Sequence, residues 1–304
     1  MEKPQSRISF HNQISSNKRN SLFLLIGIVL VIVLLGYIIS LVLGPEYFTI
    51  IMILAIIISL AYIWVGYYYS DKIAISSAKA KPADKIKHRT LFNAVESMSI
   101  ASGLPMPKVY VMENPQINAF ATGRDPKNAV ICVTTGALEK LDKDELEGVI
   151  AHEMGHVANY DIRFMTLVTV LVGMIAIIAE IFLRSLWFRG DSDSGGKDGR
   201  VQLVLIILGV LFAILAPIVV QLVQLAISRK REYTADATAV KFTRRPTGLI
   251  GALKKIKSDS SMKPHQLSKA IAPLFISDPF KKNLDSLFST HPPLEKRIAV
   301  LERM

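Results

Sequence analysis

The chain has 304 residues, of which 51% are apolar and 20% charged, with a mean hydropathy of +0.36. These values argue against a wholly soluble protein and point to membrane segments joined to a charged globular part. The net charge of +11 and a pI near 9.6 suit nucleic acid, but the basic residues flank long apolar runs, as an anionic membrane surface requires, so no nucleic-acid partner is expected.

Residues 1–21 form a basic N-terminus. Leu22–Leu43 and Tyr47–Tyr69 then run for 22 and 23 residues without a charge. Each run is long enough to cross a hydrocarbon layer of about 30 Å at about 1.5 Å per residue. Gly44-Pro45-Glu46 between them reads as a tight turn, so residues 22–69 form a transmembrane hairpin. The first run is too long for a signal-peptide core and has no small-x-small cleavage site, so it is retained. Lys3, Arg7, Lys18 and Arg19 precede the first span. Lys72, Lys79, Lys81, Lys85, Lys87 and Arg89 follow the second. The positive-inside rule places both flanks in the cytoplasm.

Residues 70–163 read as a cytoplasmic globular part. Leu91, Val95 and Met98 have helical spacing, and Gly103 with Pro105 ends that helix. Lys108–Met112, a stretch around Asn118–Ala121, and Ala129–Val133 read as short strands. Cys132, the single cysteine, lies in the last of these and reads as a small buried hydrophobe. Asp142 with Glu145 forms a capping box opening a helix with apolar positions at Leu146, Val149, Ile150, Met154 and Val157.

A second membrane hairpin is expected over residues 164–227. Its spans are 164–183, with Glu180 near the far end, and 201–227, which contains Pro217, Gln221 and Gln224. The polar, glycine-bearing loop Arg184–Arg200 joins them. Residues 228–304 are again cytoplasmic, largely helical and basic, with 16 basic and 7 acidic residues.

The capped helix carries His152-Glu153-Met154-Gly155-His156. Histidines four apart share one helical face and can grip a single zinc ion. Glu153 beside them can take a proton from water whose pKa zinc lowers to about 7. The bland alternative is a pair of surface histidines. A catalytic zinc usually takes three protein ligands and leaves one position open. Two glutamates compete for the third place. If the helix continues beyond His156, Glu180 lies about 36 Å away, across the membrane. Glu232 follows two crossings and returns to the face that holds His152 and His156, so the parity of the crossings selects it. Asp236, one helical turn further on, can orient a ligating histidine. Its alternative is a helix salt bridge with Arg229 or Lys241.

These segments, with Thr290-His291-Pro292-Pro293-Leu294-Glu295-Lys296-Arg297 and Asn118-Ala119-Phe120-Ala121-Thr122-Gly123, resemble the HtpX-type membrane metalloproteases of bacteria. That group is allied to the prenyl-protein CAAX zinc proteases. The resemblance covers nearly the whole chain. Tyr160 departs from it, standing where a small residue is expected after Asn159. The resemblance implies a multi-pass α-helical membrane protein with a mainly α (α+β), gluzincin-like zinc metalloprotease domain. It implies one zinc on His152, His156 and Glu232, with Glu153 as the base. It also implies ATP-independent proteolysis of damaged or misfolded membrane proteins at the cell membrane, with the site facing the cytoplasm.

Asn118–Gly123 reads either as an edge strand receiving extended substrate or as a plain core strand. His291, held by Pro292-Pro293, reads as an oxyanion donor, a resting-state zinc ligand or a structural cap. The helix after His156 is expected to run into the third span, which would put cleavage just above the bilayer. The alternatives are a processing protease for one membrane-associated substrate and a non-catalytic membrane scaffold or transporter. Polar groups inside the apolar runs motivate the last.

Overall fold

The computed structural model describes residues 10–43, 45–168, 229–259, 274–276 and 292–304. Two of its helices are long and apolar enough to cross a membrane, over Ile14–Leu34 and Phe48–Tyr68. They belong to α1 (Phe10–Leu43) and α2 (Phe48–Tyr68), which pack along each other across a 3₁₀ turn at Pro45–Tyr47. The contact is close because Gly36 faces Ala55, leaving 2.7 Å for a Cβ that glycine lacks. The other faces of the pair expose Leu22, Phe23, Leu30, Ile53, Ile57 and Trp64. α1 begins well before Leu22, so much of the basic N-terminus is helical and continuous with the span. Its polar residues Asn17 and Ser21 are buried, and that docking explains the extension.

The globular part is built round a four-stranded mixed sheet in the order β1-β2-β4-β3. The strands are β1 (Lys81–Pro82), β2 (Lys108–Met112), β3 (Ala119–Thr122) and β4 (Val130–Thr134). β2 and β4 are parallel, and the two outer pairings are antiparallel. β3 and β4 start one residue later than the sequence pattern suggests. Local side-chain bonds cause the shift. Asp125 caps the turn at Asn128, and Thr134 Oγ1 takes the Asn118 N–H. Helix α3 (Ser70–Ser77) leads into β1, α4 (Arg89–Ser102) joins β1 to β2, and α5 (Thr135–Lys140) follows β4. α4 stops where expected, at Gly103, whose φ of +70° suits glycine.

α6 (Lys143–Ala158) is the central element. Its capping box forms as the sequence predicts: Asp142 accepts from the Glu145 N–H and Glu145 from the Asp142 N–H, both at 2.9 Å. Almost every residue from Leu146 to Val157 is buried. One face meets the sheet and α4. The other meets α8 (Arg229–Thr243) and α9 (Thr247–Asp259). Val95, Ile131, Ile150, Met154 and Leu253 meet in the main core, and Cys132 is buried with Phe120 on the far face of the sheet. Gly155 lets α8 approach: a Cβ there would sit 3.2 Å from the Ala235 backbone and 3.3 Å from Thr238. The last helix, α10 (Leu294–Leu301), starts directly after Pro292-Pro293 and packs on α8 and α9.

The continuous helix expected from His156 into a third span does not form. α6 closes with Asn159 N–H on Gly155 O and Tyr160 N–H on Val157 O. Tyr160 then adopts φ +59°, the left-handed region, which breaks the helical path. A new helix, α7 (161–168), begins at the next residue. The expected spans at 164–183 and 201–227 lie outside the described residues beyond Val168, as does His291.

Candidate metal centre

Three ionisable side chains converge between α6 and α8. Ligand atoms of His152, His156 and Glu232 all lie within 4.8 Å of one another, and all three residues are buried. His152 Nε2 is 3.7 Å from Glu232 Oε2, and His156 Nε2 is 3.5 Å from Glu232 Oε1. A tetrahedral zinc with bonds of about 2.0–2.2 Å spaces its ligands by roughly 3.3–3.6 Å. The three groups therefore fit one ion without rearrangement of the backbone.

Each imidazole is aimed by a carboxylate behind it. His152 Nδ1 meets Asp236 Oδ1 at 2.9 Å. His156 Nδ1 meets Asp161 Oδ2 at 2.9 Å. With Nδ1–H committed to a carboxylate, Nε2 is left as the acceptor lone pair facing Glu232. Asp236 does not pair with Arg229 or Lys241. Its partners are His152 and Arg297, which donates to it through Nε (2.9 Å) and Nη2 (2.7 Å). The same guanidinium sends Nη1 to Glu232 Oε2 at 3.2 Å and to Ile276 O at 3.3 Å, and lies over the His152 ring.

Glu153 lies 1% exposed on the sheet side of α6. The Ala121 N–H of β3 donates to its carboxylate, and its Oε1 has no hydrogen-bond partner among the described residues. β3 is the last strand of the sheet among those residues. Its outward groups alternate, so Ala121 faces Glu153 while Ala119 O accepts the Ile276 N–H at 3.1 Å. All four β3 residues are buried. Asn118 precedes the strand, and its Oδ1 accepts the Ala119 N–H.

The buried charges leave room for a cation where His156 otherwise carries a proton. Glu153, Asp161, Glu232 and Asp236 are buried here, against Arg231 and Arg297. Four carboxylates less two guanidiniums leave up to two negative charges. Burial pushes the Glu153 carboxyl up to about 7, with Glu232 adding to the rise and His156 opposing it. Burial works against a charged His156, but Asp161 and Glu232 on its two nitrogens outweigh that and raise it to about 10. Burial, then Arg297, hold His152 below its ordinary value.

Asp161 and Arg297 are the residues that sequence reasoning missed. Asp161 lies five residues after His156, a spacing that could have marked it. Arg297 stood inside a quoted segment, but nothing in its neighbours showed that it would be drawn wholly into the interior.

Residues 85–304 match the description "Peptidase family M48". A protease HtpX homologue of Caldanaerobacter subterraneus subsp. tengcongensis is 48% identical over 84% of each chain. Another, from Listeria monocytogenes, is 40% identical over 96% of this chain and 99% of its own. The solved structure of S. mikatae Ste24p is similar over 95% of this chain and 66% of its own, at 20% identity and a TM-score of 0.49, too distant to add to the argument. The chain belongs to peptidase family M48, among its HtpX-type metalloproteases.

Two outcomes follow from the buried charge. Arg297→Ala would strand Asp236 and Glu232, and is expected to lower stability by about 3–5 kcal/mol in chemical denaturation. The second concerns pH. The His156 pKa is raised on folding, so its contribution is complete below the unfolded value of 6.5 and is lost as pH rises through about 10. Glu153 is raised only to about 7, and burial holds His152 below its ordinary value. The melting temperature of metal-free protein should therefore fall between pH 7 and 10, and His156→Gln should flatten that decline.

Proposed function

We propose that this chain is a membrane-embedded zinc endopeptidase that hydrolyses peptide bonds of misfolded or damaged membrane proteins. The observation that carries the reading is the paired aiming of the two histidines. Asp236 and Asp161 turn both Nε2 atoms toward Glu232, beside a buried carboxylate, Glu153, with one oxygen unpaired among the described residues. His152, His156 and Glu232 hold one zinc, and Glu153 is the base. Zinc bound there supplies Lewis acidity, polarising a peptide carbonyl and lowering the pKa of water to about 7. Glu153 takes the proton from the attacking water at Oε1 and returns it to the leaving amine. Its raised pKa suits both halves of that transfer.

Substrate enters as an extended chain at the Ala121 end of β3, which faces Glu153, past the point where Ile276 takes Ala119 O. Asn118 fixes the start of that strand. His291 is the candidate donor to the oxyanion. The bilayer receives the apolar surfaces of α1 and α2, which no packing among the described residues covers. A second hairpin over 164–227 completes a multi-pass protein of the cell membrane. Residues 1–21, 70–163 and 228–304 lie on the cytoplasmic side, and the site cuts cytoplasmic loops or tails.

The test is Glu153→Gln in zinc-loaded protein reconstituted with a misfolded membrane substrate. Cleavage should fall at least about a hundredfold while bound zinc stays at one per chain. Undiminished cleavage would remove Glu153 from the chemistry and overturn the reading.

A further inference from the structure

The N-terminal extension of α1 reaches the back of the metal centre. Asn17 is 3% exposed and lies more than 140 residues from its partners. Its Nδ2 donates to Asn159 O at 3.0 Å and to Asp161 Oδ1 at 2.6 Å. The other oxygen of that carboxylate, Oδ2, is the one on His156 Nδ1. Asn17 Oδ1 in turn accepts from Arg231 Nη1 at 3.4 Å, and Arg231 is the neighbour of Glu232. One amide thus bridges the two halves of the chain that bring His156 and Glu232 together. It uses its donor on one half and its acceptor on the other.

The loop it grips is the unusual one. Tyr160 holds a left-handed backbone at φ +59°, where a side chain is disfavoured. Its ring supplies the compensation. Lys18 Nζ sits 4.4 Å from the ring centroid, and the Arg163 guanidinium sits 5.4 Å away. Lys18 follows Asn17 directly, so the cation on the ring and the amide on Asp161 dock together. Tyr160, the departure from the family pattern, thereby becomes a clamp for α1. The helix is unbroken from here into the uncharged run that begins at Leu22, five residues, about 7.5 Å, further on.

We propose that Asn17 is a positioning residue for the metal centre, holding Asp161 in the orientation that aims His156. The first turns of α1, ahead of the uncharged run that begins at Leu22, are thereby a working part of the active site. The inference rests on the reading that the site binds zinc.

The experiment measures zinc release from the full-length protein in detergent to an excess of a chromogenic chelator. Asn17→Ala and Asn17→Leu are compared with wild type, and each is melted in its zinc-free form to check the fold. Leucine keeps the branched shape of asparagine but has no donor. Both variants should release zinc about tenfold faster than wild type, the lower end of what loss of a ligand's supporting bond costs. Ser21→Ala, on the same buried helix face but bonded among the described residues only within α1, should release at the wild-type rate. Wild-type release in Asn17→Leu would show a packing role and overturn the proposal. Loss of the fold in both Asn17 variants would assign the residue to the core and overturn it too. Failure of wild-type protein to bind zinc would instead sink the proposed function, so the two failures are told apart.

Discussion

The structure turns on the contact between α6 and α8, where charge is buried at a helix interface. Side chains of this kind are costly to desolvate unless each finds a partner. Here the partners form one continuous set. Arg297 joins Asp236 to Glu232, Asp236 backs His152, and Asp161 backs His156. Gly155 is what permits the approach, because a side chain there would press on the Ala235 backbone. The capping box at Asp142 and the sheet behind α6 make the platform rigid enough to hold that geometry.

The same constraint explains why the globular part is assembled from distant pieces. α6 brings His152, Glu153 and His156, while α8 brings Glu232 and Asp236 after the intervening apolar runs. α10 contributes Arg297 from the end of the chain, and α1 contributes Asn17 from its beginning. None of these elements satisfies its own buried charge. Their buried charges are paired only across these contacts, so the site is built by the same packing that joins the elements.

Much of this was legible in the sequence, for a physical reason. Helical spacing aligns His152 with His156, and the capping box, the end of α4 at Gly103 and the burial of Cys132 follow from local chemistry. The first hairpin followed from the length of its uncharged runs. Membership of the metalloprotease family followed from four separated segments. The illegible features are those set by tertiary contact. Tyr160 interrupts the helix expected to continue past His156, because its ring is held by Lys18 and Arg163 from elsewhere in the chain. Arg297 looks like one more basic residue of a basic segment until α10 is folded against α8. Asn17 carries no local signal at all. Its role exists only because α1 starts ahead of its apolar run and lays that amide against Asp161.

The central claim is that His152, His156 and Glu232 hold one metal ion between the two halves of the chain. X-ray absorption at the zinc edge of the loaded protein tests it most directly. The account predicts two imidazole nitrogens at about 2.0–2.1 Å with carboxylate oxygen beside them, and loss of that oxygen contribution in Glu232→Ala. A spectrum without imidazole scattering, or one unchanged by Glu232→Ala, would contradict it.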